Sequence, residues 1–333
     1  MELIAGDIGG TKSWLVWVTV TAGRQQLRYE KVYASADYAT AEALLKRFIN
    51  DAEASAQPDD LMLALPGALH GQRTTLTNLA WTLDAAQLQQ ALGFSRVRFI
   101  NDFQAAAAGV ATLAPQDVVT LNPASPEPNG VRAVTGAGTG LGLAFMVPDA
   151  NGRYQSFATE GGHIDFAPAN SVQARLLEHL QLIYGHVSWE RTVSGSALHD
   201  LYCFCCIEAD HVLPEHSVDG AELARMAASG HVVAEAALNL FIDLYGAWIG
   251  NVALMYTPRG GLYIAGGVAG HMQSRMQSAR LMAAAIDKGR MRNVVECTPI
   301  HLITCSRLGV QGAMASAVSN ATRSDITHTL QTA

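Results

Sequence analysis

The sequence predicts an α/β protein made of two related halves. Three observations carry this expectation. Residues 3–20, LIAGDIGGTKSWLVWVTV, read as strand, glycine turn, strand, and residues 131–147, VRAVTGAGTGLGLAFMV, repeat that pattern. Several segments around them have the period of amphipathic helices. At 333 residues the chain also exceeds one ordinary core, so two domains are expected.

Both glycine clusters join two β-rich runs and neither opens a helix. That separates them from dinucleotide fingerprints and Walker-type loops, which need strand, loop, helix. The helices read more simply. In 40–55, Leu44, Leu45, Phe48, Ile49 and Ala52 form an apolar stripe. Asp84 is placed to cap AAQLQQAL, and a helix from Ser171 runs through Leu176, Leu177, Leu180 and Ile183 to a stop at Gly185. NPASPEPNG, 122–130, is a turn region that reads as the entry to the larger domain. The tail beyond Asn320 is polar and expected to fray.

Composition narrows the function. Hydrophobic residues make up 49% of the chain and charged residues 15%, ample material for burial. A net charge of −7 argues against nucleic acid as a partner. An anionic ligand would have to be held by local backbone dipoles or a metal. The start, MELIAGDIGG, lacks a basic leader region, and the most apolar stretch, 231–256, carries His231, Glu235, Asn239 and Asp243 at four-residue spacing. Those four place a polar stripe on one helix face, so the stretch reads as an amphipathic or core-edge helix and not a membrane span. A soluble, cytoplasmic protein with no membrane partner is expected. Five cysteines, three of them in LYCFCCIEA, match no common zinc spacing and read as reduced thiols on a buried helix.

The chemistry-bearing candidates begin with GDIGGTK, 6–12. Adjacent glycines admit close backbone approach, successive N–H groups can form an anion nest, and Asp7 could hold Mg²⁺ through water. The ordinary alternative is a hairpin turn with an Asp–backbone bond. TGAGTGLG, 135–142, spends four glycines where a hairpin needs one or two, which favours a phosphate cradle. LYIAGGVAG, 262–270, is either a flat shelf for an adenine or a tight strand–helix turn. In FINDFQAAAAGV, 99–110, Asp102 follows an apolar run; it reads as a helix cap or as an acid facing a ligand crevice. TEGGHIDFAP offers Glu160 and His163 around a glycine pair, against a plain surface turn. SWERTVSG offers Glu190, against a solvated ion pair with Arg191. TNLAW offers Asn78, with Trp81 read as core. Together these fit phosphoryl transfer to a sugar hydroxyl.

Seven stretches, GDIGGT, TNLAW, FINDF, GAGTGLG, EGGHIDFAP, GHVSWERTVSG and YIAGGV, in this order from Ile4 to about Ala317, resemble the bacterial glucokinases of the zinc-free branch. The resemblance implies a two-domain ribonuclease H-like (actin-like ATPase) fold with a cleft between a small and a large domain. It divides the chain as a small α/β domain over 1–112, completed by 307–333, and a large α/β domain over 113–306. It implies Asp102 as general base, with Asn101, Asp102, Glu160, His163 and Glu190 binding glucose. Asp7, Gly9, Gly10, Thr11, Gly138 and Thr139 would meet the phosphates of ATP, with Mg²⁺ at Asp7 through water, and Gly266 and Gly267 would lie by the adenosine. A homodimer and the production of glucose 6-phosphate and ADP are implied too. Lys12 departs from the asparagine that many members of this branch carry, and the cysteine pattern of the zinc-bearing relatives is missing after His163. The alternatives are a related kinase for another hexose such as N-acetylmannosamine, fructose or mannose, a non-catalytic sugar-sensing regulator on the same scaffold, and an actin-like ATPase. The intact Asp102 counts against the regulator. Glu160, His163 and Glu190 would have no purpose in the ATPase.

Overall fold

A computed structural model describes residues 1–21, 24–53, 58–76 and 78–318 of the chain. Its contacts divide into two compact units, Met1–Ala114 with the chain from Cys305 onward, and Pro115–Thr304. Thr77 of the TNLAW motif and the polar tail beyond Asn320 lie outside the described residues.

The first unit holds β1 (Glu2–Ile8), β2 (Lys12–Thr21), β3 (Arg24–Ala34), β4 (Asp60–Leu65), β5 (Arg73–Leu76), β6 (Trp81–Asp84) and β7 (Arg96–Asn101). Five of these form one sheet in the order β3-β2-β1-β4-β7, with β1, β4 and β7 mutually parallel and β2 and β3 antiparallel. Strand alternation sends successive side chains to opposite faces. Ile4, Ile8, Leu15 and Trp17 pack with Leu44, Leu45, Phe48 and Leu88 on one face; Leu3, Ala5, Val16 and Val18 pack with Ala105, Val310, Ala313 and Ala317 on the other. Both faces are covered, which is why β1 reads as a near-continuous apolar run.

The helices of the first face are as the sequence predicts. Ala41–Asp51 is capped by the Thr40 hydroxyl, which accepts from Ala43 N at 3.1 Å, and Ala85–Leu92 by Asp84, which accepts from Ala86 N at 2.9 Å and Gln87 N at 3.3 Å. The second face is covered by helices Asp102–Gly109 and Leu308–Val318. These two meet backbone to backbone. A Cβ on Gly109 would stand 2.5 Å from Leu308 O, and one on Gly312 would collide with Ala105 O. Any side chain at either glycine would push apart the helix that begins at Asp102.

The second unit holds β8 (Val118–Asn122), β9 (Arg132–Ala137), β10 (Leu141–Pro148), β11 (Tyr154–Thr159), β12 (Gly261–Ala265) and β13 (Ile300–Ile303). Their order is β11-β10-β9-β12-β13-β8. Apart from the added edge strand β8, order and directions repeat those of the first sheet: two antiparallel hairpin strands beside three parallel ones. The repeated strand–glycine-turn–strand motif therefore marks the first hairpin of each half, and the fold is ribonuclease H-like in both. The turn region 122–130 does not open this unit, because β8 precedes it and already pairs with β13.

Helix Val232–Tyr256 is the spine of the second unit. It has the length and apolarity of a membrane-crossing helix, yet most of it is buried in protein. Gly246 and Gly250 let it approach helix Ala279–Ile286 at backbone distance: a Cβ on either would collide with Leu281 O or Ala285 O. Its polar stripe is met as well. Arg275 pairs with Glu235 at 2.6 Å and Arg280 with Asp243 at 2.7 Å, while His231 caps the helix start. The clustered cysteines sit on helix Ala197–Glu208, with Cys205 and Cys206 buried and their thiols pushed up by burial, Cys205 to about 12.

Candidate active site

In the first unit the predicted residues gather at the carboxyl ends of the parallel strands, where open α/β sheets bind ligands. Asp7 pairs with Ala64 across β1 and β4, and Leu65 with Asn101 across β4 and β7. Asp7, the Pro66–Gly67 loop and Asp102 thus emerge from one sheet edge. The turn after β1 is tight: Gly9 N donates to Lys12 O at 2.9 Å, and the Ser35 hydroxyl donates to Gly9 O at 2.7 Å. Asn78 lies against Gly10, where a Cβ would stand 3.4 Å away. A cavity of about 700 Å³ opens here, lined by Gly10, Pro66, Gly67, His70 and Asn78 among others. Trp81 is core, as expected.

The cap of helix Asp102–Gly109 is Asn101, not Asp102. The Asn101 Oδ1 accepts from Gln104 N at 3.0 Å, and its Nδ2 donates to Gly67 O at 3.2 Å. Those two bonds leave it one amide hydrogen and one lone pair for a ligand. Asp102 is the first helical residue and half-buried, with Oδ1 accepting from Phe103 N at 2.8 Å. That bond orients its carboxylate. The sequence reading of Asp102 as a cap fails because its neighbour has the extended backbone that a cap requires.

Asp7 makes no backbone bond through its carboxylate and has no hydrogen-bonded partner for it among the described residues. Gly309, at the start of helix Leu308–Val318, abuts it so closely that a Cβ there would collide with the carboxylate. Burial pushes the carboxyl up from an ordinary 3.8 to about 6, and the nearby Lys12 ammonium counters only part of this. A desolvated carboxylate without a full countercharge suits a cation. Mg²⁺ needs only one or two such ligands, since it keeps much of its water.

In the second unit the expected residues converge on the β9–β10 turn. Gly138 N donates to Gly140 O at 2.8 Å, and Gly195 N donates to Gly138 O at 2.8 Å. A Cβ on Gly138 would meet open space, and Thr139 is exposed. Gly266, at φ 93°, sits where a Cβ would collide with Ala137 O, while Gly267 faces open space. The glycine pair is therefore required by strand packing at Gly266 and leaves a flat, open surface at Gly267.

Glu160 and His163 flank the same turn from the side. Both are exposed, with His163 Nε2 3.9 Å from Glu160 Oε2. Gly162 between them abuts Leu141 O, so the loop lies directly on the hairpin. Trp189 N donates to Ile164 O at 3.0 Å, which brings Glu190 beside that loop. The Glu190 Oε2 accepts from Leu141 N at 2.9 Å. Arg191 does not pair with it; its guanidinium stacks 4.0 Å from the Tyr184 ring centroid.

Sequence reasoning missed the supports of this turn. The Tyr245 hydroxyl accepts from Ala137 N at 3.0 Å, and Trp248 Nε1 donates to the Thr135 hydroxyl at 2.8 Å, which in turn donates to Gly142 O at 2.8 Å. The first two bonds are buried and the third is partly so, and they fix the hairpin from beneath. A tyrosine and a tryptophan three apart on one helix face were the only available signal. The Pro66–Gly67 loop was also missed; a proline–glycine pair after an apolar strand was its sign.

Comparison with known proteins shows the family of the chain. A sequence model described as Glucokinase matches residues 4–320. The glucokinase of Nostoc sp. is 36% identical over 333 aligned residues, covering 93% of this chain and 97% of that one. The glucokinase of Yersinia enterocolitica is 35% identical, covering 94% and 95%. The crystal structure of a glucokinase from an Antarctic psychrotroph superposes with a TM-score of 0.81 at 30% identity, covering 95% of this chain and 98% of that one. With both glycine hairpins, the acid at the strand end and the Glu–His loop in place, the chain belongs to the glucokinase family.

Proposed function

We propose that the chain transfers the γ-phosphoryl group of ATP to the 6-hydroxyl of glucose, with Asp102 as the general base. The observation that carries the assignment of the base is its position: Asp102 directly follows the parallel strand β7 at the carboxyl ends of the sheet, and its carboxylate is oriented by the start of its own helix. The hydroxyl donates a hydrogen bond to Asp102. As the bond between the γ-phosphorus and the oxygen of the leaving ADP breaks, the hydroxyl oxygen bonds to phosphorus and its proton passes to the carboxylate. Such transfers rest on positioning and charge stabilisation, and the proton becomes acidic only late. Gly10, Thr11 and Thr139 offer backbone N–H groups and hydroxyls to the phosphates; Gly9 and Gly138, whose own N–H groups close the turns, let the phosphates approach the backbone, and Gly266 and Gly267 offer a flat seat for adenosine. Asp7 would hold Mg²⁺ through water, and that ion, when bound, offsets phosphate charge.

Asn101, Glu160, His163 and Glu190 hold the remaining sugar hydroxyls in this reading. Specificity follows because a wrong sugar leaves such groups without partners, at about 1–3 kcal/mol each. ADP release measured across a panel of hexoses tests the assignment: release should require sugar and be fastest with glucose. Release without any sugar, or fastest with N-acetylmannosamine, would replace the reading with one of the alternatives above. Glu160→Gln and His163→Ala are each expected to raise KM for glucose about tenfold, with kcat changed less. An unchanged KM would remove that residue from the sugar site.

A further inference from the structure

We infer that Glu190, beyond contacting sugar, is a positioning residue for the nucleotide turn. The inference rests on the reading that Gly138 and Thr139 meet the nucleotide phosphates. Four contacts carry it. The Glu190 Oε2 accepts from Leu141 N at 2.9 Å, at one end of the Gly138–Gly140 turn. At the other end, Gly195 N donates to Gly138 O at 2.8 Å, so a single stretch from Glu190 to Gly195 grips the turn twice. The Glu190 carboxylate lies so close to Gly140 that a Cβ there would collide with it. The loop carrying Glu160 and His163 lies on the same turn residue, with Gly162 against Leu141 O.

One carboxylate oxygen therefore belongs to the turn and the other, Oε1, is left for a ligand. The hydrogen-bond demand of Leu141 N–H is met by the side chain proposed to read the sugar. Removing that acceptor frees the turn whether or not sugar is present. A residue that only contacted sugar would leave nucleotide affinity in sugar-free protein untouched, and this distinguishes the two roles.

The test is titration calorimetry of AMPPNP with MgCl₂ in the absence of glucose, beside the glucose KM of each variant. Glu190→Ala and Glu190→Asp, the latter one methylene too short to reach Leu141 N, are expected to weaken AMPPNP about five- to tenfold. Glu190→Gln keeps a carbonyl oxygen for that N–H and should stay within about twofold of the parent while its glucose KM rises. Gly140→Ala should copy the Glu190→Ala loss by displacing the carboxylate. Parent-like AMPPNP affinity in Glu190→Ala overturns the inference. If the alanine variant does not fold, equal affinities of the Asp and Gln variants overturn it instead. Failure of the glucokinase reading looks different: the parent would bind AMPPNP yet release no ADP with glucose.

Discussion

Asp102→Asn is expected to lower kcat for glucose phosphorylation by on the order of 100-fold or more, with glucose affinity close to that of the parent. The substitution is nearly isosteric. Its amide oxygen can still accept from Phe103 N, so the helix start stays in place. Asn101 continues to cap the helix through Gln104 N, and the thermal midpoint should move little. What is lost is the only group at this position able to take the hydroxyl proton. Steady-state kinetics with a direct glucose-binding measurement checks this. Near-normal kcat in a variant that binds glucose would end the base assignment; lost glucose binding would instead make Asp102 a sugar contact first.

Asp7→Asn is expected to do two opposite things. Activity should fall, because the carboxylate proposed to hold Mg²⁺ is gone. Stability near neutral pH should rise. The carboxyl ordinarily titrates at 3.8 but at about 6 in the folded chain, because burial disfavours its charge more than Lys12 favours it. Between about pH 4 and about pH 6 the folded chain holds this proton and the unfolded chain does not. Stability therefore falls as pH rises through that window and stays low above it. A rise of this size would cost about 3 kcal/mol in full; the side chain keeps some access to solvent, and about 2 kcal/mol is the expected net at pH 7.5. Urea unfolding of both proteins in EDTA, at pH 4 and pH 7.5, is the measurement. The asparagine variant should gain at the higher pH and little at the lower one. An equal difference at both pH values would show that the gain has nothing to do with the proton.

Much of this was legible in the sequence because it is local. A two-residue period with glycines in the middle gives a hairpin wherever it sits, so both turns could be read from their own residues, and their repetition announced two similar halves. A 3.6-residue apolar period in 40–55 marked the helix at 41–51, and Asp84 ahead of AAQLQQAL marked the one at 85–92; the Thr40 cap came from the structure. Even the Asp102 neighbourhood, strand then acid then helix, was readable. Its exact cap was not, because Asn and Asp are both good caps and the choice depends on which residue first takes helical dihedrals.

Tertiary structure alone decided what holds those turns in place. The Leu141 N–H reaches Glu190 across 49 residues, and the Ala137 N–H reaches Tyr245 across 108. The helix from Leu308 returns to the first sheet to press Gly309 on Asp7 and Gly312 on Ala105. No periodicity encodes such pairs. Backbone period and turn chemistry are set by neighbours a few residues apart. The partner of a buried N–H or a stranded carboxylate is set by which distant segments the packed core brings within 3 Å of it.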